Sequence, residues 1–254
     1  MKYMGSKARI ASSILPLILQ NREDGQWYVE PFGGGANVID KVKGRRIYSD
    51  INPFLVSCFR GLTSGWVPPC EISRELYNDL RNKFNSNNFA ISDMALIGYV
   101  GINGSYGGRW FDGGYAGVTS TREGNKRNYP LEAYKNVMAQ IPSLEGVEFH
   151  CSNYKDLEIP PSSVIYCDPP YRGTKEYTFA KGSGFDSLEF WDWCRVKSLE
   201  GHQVFISEYE APEDFICIWE KKVSSSLRAN SKISGAKSST EKLFTYKLQP
   251  EQAA

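Results

Sequence analysis

The chain has 254 residues, a formal net charge of +1, 41% hydrophobic and 23% charged residues. That length allows one large domain or a catalytic domain carrying a smaller insert, and the composition is that of a soluble globular protein. No apolar run approaches the roughly 18 residues of a membrane span, and residues 1–7 lack a signal peptide's apolar core, so a cytoplasmic protein with no membrane partner is expected.

In chain order, helical periodicity first covers 7–19. A strand is predicted at 26–30, running into Glu30-Pro31-Phe32-Gly33-Gly34-Gly35, and a second at 45–50, ending on Asp50. Helices follow at 53–62, 71–84 and 92–101. Then comes a loop at 101–117 with seven glycines among Tyr106, Arg109, Trp110, Phe111 and Tyr115. After a helix at 131–140, strands are predicted at 147–151 and 163–167, a helix at 187–200, and strands at 203–207, 215–223 and 243–248. Strand–helix alternation at both ends predicts an α/β, Rossmann-like sheet of seven strands. Residues 1–53 and 147–254 would form its catalytic domain. Residues 54–146 would form a mainly helical insert.

Six cysteines (58, 70, 151, 167, 194 and 217) stand singly, without the C-x-x-C spacing of zinc or redox sites. No metal is expected. Cys151, Cys167 and Cys217 lie in apolar runs and read as small core residues. His150 and His202 lack a Ser or Cys partner in hydrolase order and read as structural.

The chemistry is densest at Val164-Ile165-Tyr166-Cys167-Asp168-Pro169-Pro170-Tyr171. Pro169 removes the backbone donor that would continue the strand. Pro169 and Pro170 hold the chain rigid. A carboxylate and a free carbonyl are thereby fixed at the carboxyl end of a strand, where open α/β sheets bind ligands. An exocyclic ring amine is a poor nucleophile because its lone pair is delocalised. Acceptors at Asp168 and the Pro169 carbonyl would favour a tetrahedral nitrogen, and Tyr171 would stack on the base. The competing reading is a proline-stiffened turn with a surface aspartate.

Glu30 and the turn containing Gly33 and Gly35 suit close approach to a ligand, or only a tight connection. It is not a dinucleotide fingerprint, because Val38 stands at the third glycine position. Asp50 ends the next strand, where an acidic residue accepts bonds from ribose hydroxyls. Asn52 fits better as the cap of the following helix.

The order of Lys2-Tyr3-Met4-Gly5-Ser6-Lys7, Glu30-Pro31-Phe32-Gly33-Gly34-Gly35, Asp50 and Asp168-Pro169-Pro170-Tyr171 resembles the Dam-type DNA adenine methyltransferases over nearly the whole chain. The resemblance implies a seven-stranded S-adenosylmethionine methyltransferase sheet with an inserted target-recognition domain. It implies S-adenosylmethionine as cofactor, contacted by Tyr3, Lys7, Asp50 and Asp168, with Phe32, Gly33 and Ile51 lining the pocket. Residues 149–154 fall where the family contributes to the pocket for the cofactor's adenine. Double-stranded DNA would be the partner, the chain a monomer or weak dimer, and a restriction endonuclease partner stays open.

Residues 101–111 look like the family's recognition hairpin and the loop leading into it. Tyr106 and Trp110 suit the groove or the gap left by a flipped base, Arg109 a guanine, and Asn103 or Ser105 a base edge. Lys126 and Arg127 suit phosphates. A partnerless surface loop is the alternative. The glycine-rich run lacks the family's usual specificity residues, so GATC recognition does not follow. At 221–242, five lysines, including Lys232 and Lys237, and Arg228 face one acid, Glu241. A flexible loop clamping DNA is expected there, with a merely solvated loop as the alternative. Ser207-Glu208-Tyr209 is expected to shape the target pocket. Rival functions are methylation of cytosine or a glutamine amide, and a DNA-binding relative without catalysis.

Overall fold

Along residues 164–167 the side chains alternate between two cores. Val164 and Tyr166 face one, Ile165 and Cys167 the other, as the two-residue period of an extended chain requires. Strands buried on both faces belong to parallel sheets covered by helices, and the computed structural model has that architecture. It describes residues 1–120, 124–171, 185–224 and 238–247. In chain order the elements are α1 (Ala11–Ile18), β1 (Tyr28–Glu30), β2 (Arg46–Asp50), α2 (Pro53–Thr63), α3 (Arg74–Asn85), α4 (Met94–Asn103), β3 (Val118–Ser120), β4 (Lys126–Asn128), α5 (Tyr129–Gln140), β5 (Val147–Cys151), β6 (Val164–Cys167), α6 (Ser187–Leu199), β7 (Gln203–Glu208), β8 (Phe215–Ser224) and β9 (Ser238–Tyr246).

The seven predicted strands form one sheet in the order β5-β2-β1-β6-β7-β9-β8. The first five are parallel, and β9 runs antiparallel between β7 and β8. The chain steps outward from β1 to β2 to β5, then returns to the other side of β1 for β6 and β7. The reversal falls between β1 and β6. Their carboxyl ends therefore flank a topological switch point, the place where such sheets bind ligands.

Helix α6 covers one face through Phe190, Trp191 and Cys194. The other face carries α1, α2 and α4. Asn52 caps α2, accepting from the Phe54 and Leu55 backbone N–H groups at 3.1 and 3.3 Å, and Pro53 supplies a first-turn residue that needs no donor. Helices α2 and α4 cross closely enough that a Cβ on Gly98 would lie 2.1 Å from the Phe54 carbonyl oxygen. Phe59 of α2 stacks on Phe149 of β5, with ring centroids 5.6 Å apart. The core of the 54–146 segment is thus continuous with that of the sheet.

Several expectations need correction. The helix at 7–19 begins as a 3-10 turn, Lys7–Arg9, before α1. Residues 101–111 are not a hairpin: they hold the end of α4 and a 3-10 turn at Tyr106–Gly108. The hairpin is β3–β4, whose short polar strands carry no apolar alternation to reveal them. Cys151 and Cys217 are exposed, because β5 and β8 are the edges of the sheet. The basic stretch is partly strand, since β8 and β9 take in Lys221, Lys222 and Lys242; Lys232 and Lys237 lie outside the described residues. His202 is structural, its Nδ1 accepting from the Ser163 N–H at 3.0 Å. No helix of the described residues is long and apolar enough to cross a membrane.

Candidate active site at the switch point

On one side of the switch point, β1 ends in Glu30, which is 3% exposed and accepts from the Tyr28 hydroxyl at 2.8 Å. Burial pushes its carboxyl well above the usual range. The turn that follows needs glycine: Gly34 has φ +47°, and its N–H donates to Asp50 Oδ2 at 2.9 Å. The Asn52 N–H donates to Asp50 Oδ1 at 2.9 Å. Burial pushes the Asp50 carboxyl up to about 6, and these two backbone donors hold it from rising further. Because Asn52 serves as the cap, Asp50 faces the ligand side.

On the other side, β6 delivers Asp168. Lys7 Nζ lies 2.9 Å from Asp168 Oδ1 and 3.9 Å from Glu241 Oε2, and donates to the Gly5 carbonyl at 3.1 Å. The Lys7 side chain is 7% exposed and that of Asp168 23%. Burial alone would lower the Lys7 pKa, but the two carboxylates outweigh it and the group stays an ammonium. Burial raises the Asp168 pKa, Lys7 opposes, and Glu241 adds repulsion, leaving it above the ordinary value. The Lys7 ammonium also sits 4.5 Å from the Tyr171 ring centroid. The Tyr171 hydroxyl donates to Glu241 at 2.9 Å, and its ring meets Tyr209 edge-on at 4.6 Å. Tyr166, directly before this cluster, is tied to Ser207 at 2.8 Å.

Both sides open into one cavity of about 1380 Å³, more than the ~300–1,000 Å³ of a typical single-ligand pocket. Tyr3, Lys7, Glu30, Phe32, Gly33, Gly35, Asp50, Ile51 and Asp168 through Tyr171 all line it. So do Ser152, Asn153 and Tyr154, at the place expected for residues 149–154, whereas Phe149 itself belongs to the core. Phe32 packs with Tyr154 at 5.3 Å and Phe185 at 6.1 Å, forming an aromatic wall.

Three of the residues expected at DNA sit differently. Trp110 is 3% exposed, wedged against Phe54 and Phe84, so it is a core residue and not a groove contact. Asn103 and Ser105 are buried and line the inner cavity. Asn103 donates to the Tyr99 carbonyl at 3.0 Å and Ser105 to that of Gly101 at 2.8 Å, so neither is presented to solvent as a base-edge reader. Tyr106 is 52% exposed, and Arg109 is half-buried. Lys126 and Arg127 stand on the exposed hairpin, Arg127 paired with Glu132 at 2.8 Å. Arg127 and Lys2 both lie over the Tyr129 ring, at 4.6 and 5.2 Å. The sequence did not point to Tyr129 or the placement of Glu241, and Lys2 entered only as the first residue of the N-terminal motif, without a role. Glu241 stood out only as the lone acid among lysines.

A mostly parallel sheet with a glycine turn and two acidic strand ends on one side of the switch point, and Asp-Pro-Pro-Tyr on the other, defines a Rossmann-like methyltransferase. The chain belongs to the D12 class N6 adenine-specific DNA methyltransferase family, whose sequence profile matches residues 3–213. It is 27% identical over 237 residues to a DNA adenine methylase of Vibrio cholerae serotype O1, covering 83% of this chain and 80% of that protein. Identity is 23% over 231 residues to the retron Ec67 DNA adenine methylase of Escherichia coli, covering 82% and 75%. With the DNA adenine methylase of Escherichia coli K12 it is 26% over 178 residues, covering 62% and 60%.

Proposed function

We propose that this adenine-specific DNA methyltransferase uses S-adenosylmethionine and acts on an adenine turned out of the duplex into the cavity. One observation carries the reading: Asp168 and the Gly33–Asp50 unit face a single cavity from opposite sides of the switch point, and that cavity exceeds the needs of one small ligand. The cofactor half fits its ligand by donor set. Asp50 suits the ribose hydroxyls, the Phe32–Tyr154–Phe185 wall the cofactor's purine, and Tyr3, Lys7, Glu30, Gly33, Gly35 and Ile51 the remainder. When bound, the cofactor would supply an electrophilic methyl on positively charged sulfur; the amine nitrogen would take it while the bonding electrons stay on sulfur, and would then release one proton to solvent.

The chain's own groups prepare the amine. Asp168 accepts from one amino hydrogen and the Pro169 carbonyl from the other, which draws the nitrogen toward a tetrahedral shape. Pro170 keeps that carbonyl fixed. Tyr171 gives the extruded ring a stacking face, at the expense of a few kcal/mol of lost base stacking in the duplex. Rate enhancement then comes mainly from positioning and fixed acceptors.

Residues 54–146 are the proposed target-recognition segment, with Lys126, Arg127, Tyr106 and Arg109 at its DNA side. Lys232 and Lys237 remain proposed backbone contacts of a loop outside the described residues. The experiment is methylation of a random duplex library followed by modification-sensitive sequencing. The wild-type chain should mark adenine in a defined context, and Asp168→Ala should leave the library unmarked. Full adenine methylation by Asp168→Ala would overturn the mechanism.

A further inference from the structure

Glu241 comes from β9, far in sequence from Lys7, the glycine turn and the Asp-Pro-Pro-Tyr run, yet its side chain is 14% exposed and ends beside Lys7 and Tyr171. Strand alternation puts it there. Leu243, two residues on, lies in the same core as Tyr166, whereas Phe244 lies in the other, so Glu241 projects on the face of the sheet that carries Lys7. By register Glu241 sits opposite Lys221 of β8, and the next residue of β9, Lys242, sits opposite Glu220 of β8 and Glu208 of β7.

Two facts make this carboxylate more than a satisfied polar group. The Tyr171 hydroxyl donates to it at 2.9 Å, which tethers the far end of the ring. The Lys7 ammonium, 2.9 Å from Asp168 Oδ1, lies 3.9 Å from Glu241 Oε2. An ammonium this buried cannot leave one carboxylate unless another receives it, because an unpaired buried charge is costly. A substrate amine bonding to Asp168 competes with Lys7 for that carboxylate. A second carboxylate one short side-chain motion away lets Lys7 yield without being stranded.

The structure assigns Glu241 as a positioning residue of the methyl-transfer site, holding the Tyr171 ring through its hydroxyl and sharing the Lys7 ammonium with Asp168. The inference rests on the reading of Asp168 as the acceptor of the adenine amine. It makes β9 part of the active site, although neither the glycine turn nor the Asp-Pro-Pro-Tyr run lies there.

The groups that face Asp168 are Lys7 from the N-terminal turn, Glu30 from β1, Tyr166 from β6, Tyr171 beyond it and Glu241 from β9; Tyr209, after β7, faces Lys7. Of these, Lys7 and a hydrogen bond from Tyr171 lower the Asp168 pKa, and Glu241 raises it by repulsion. Neutralising Glu241 therefore lets Asp168 stay ionised to lower pH.

The test uses the full chain and four variants, Glu241→Gln, Glu241→Ala, Tyr171→Phe and Asp168→Ala, in single-turnover methylation of duplex DNA across pH, with KM for DNA measured alongside. Glu241→Gln should slow the step by about 10-fold with KM for DNA little changed, and should move the acid limb of the rate to lower pH. Glu241→Ala should slow it further, and adding Tyr171→Phe to Glu241→Ala should cost less than the product of the two single effects. If Glu241→Ala proves unstable to heat, the near-isosteric Glu241→Gln carries the test alone. Wild-type rates and an unmoved acid limb in Glu241→Gln, with Asp168→Ala inactive, would overturn this assignment and leave the Asp168 reading intact. Full activity in Asp168→Ala would instead remove the reading of Asp168, and the role of Glu241 with it.

Discussion

Asp50 and Asp168 stand at the carboxyl ends of strands on opposite sides of the switch point, and both carry the penalty of burial. They are satisfied in different ways. Asp50 is held by two backbone N–H groups, from Gly34 and Asn52, which cannot move without unmaking the loop. Asp168 is held by a side chain, Lys7, that has a second carboxylate within reach. A receptor for a ligand that must be gripped the same way in every cycle is best built from backbone dipoles. A carboxylate that must exchange partners during a reaction is best served by side chains. The two ends of one cavity thus differ in mobility while sharing a charge.

Replacing Asp168 by Ala separates the two most sharply. Methyl transfer should fall by about 1000-fold while the chain stays folded, as read by single-turnover rates and circular dichroism. Equal losses in Asp168→Ala and in an Asp50 variant, on the same step, would erase the distinction. Asp50→Asn should instead weaken cofactor binding by about 10- to 100-fold, measured by calorimetry. The new amide nitrogen would face one of the two backbone donors, so the loop suffers as well as the ligand.

Removing the ammonium with Lys7→Met should move the acid limb of the rate to higher pH, by about one unit. Asp168 then loses the neighbour that lowers its pKa, and protonates sooner on acidification. The direction is opposite to that expected for Glu241→Gln, and a shift of the same sign in both would refute the shared-ammonium picture. In the wild-type chain, cofactor affinity should be full above pH about 6 and fall as the pH drops through that value, because Asp50 is raised to about 6 and only its ionised form accepts two donors. A flat affinity profile across that range would show that Asp50 does not touch the cofactor. The smallest effect is outside the cavity. Arg127→Ala should weaken DNA binding alike for all sequences and reduce the salt slope by about one, with thermal stability unchanged, since its pair with Glu132 is exposed.

Much of the fold was legible because parallel strands announce themselves. Runs such as Val164-Ile165-Tyr166-Cys167 are apolar on both faces, and the residues that stop them, Glu30, Asp50 and Asp168, are polar and therefore conspicuous. The ligand-facing half of the cavity was read from the same punctuation. The insert was harder. Trp110 resembles a surface aromatic when seen beside glycines, but those glycines serve close packing as readily as flexibility, and composition alone cannot tell the two apart. Glu241 was hidden for a different reason. Its partners, Lys7 and Tyr171, are distant in sequence, and the strand that orients it begins in a polar run, Ser238-Ser239-Thr240, that gives no period to follow. Pairings that only the assembled sheet creates leave no local trace.

The position of β9 between β7 and β8 bears on how the chain is made. On the ribosome β8 emerges first, yet it cannot join the sheet until the later strand arrives to bridge it to β7. Until then β7 presents an open edge, the kind of surface on which unfinished chains stick to one another. The same late strand brings Glu241 to Lys7, a residue synthesised near the start. A nascent chain halted before residue 238 would carry Lys7, the glycine turn and Asp168-Pro169-Pro170-Tyr171 and still lack Glu241, so the cluster is completed only once β9 has been translated.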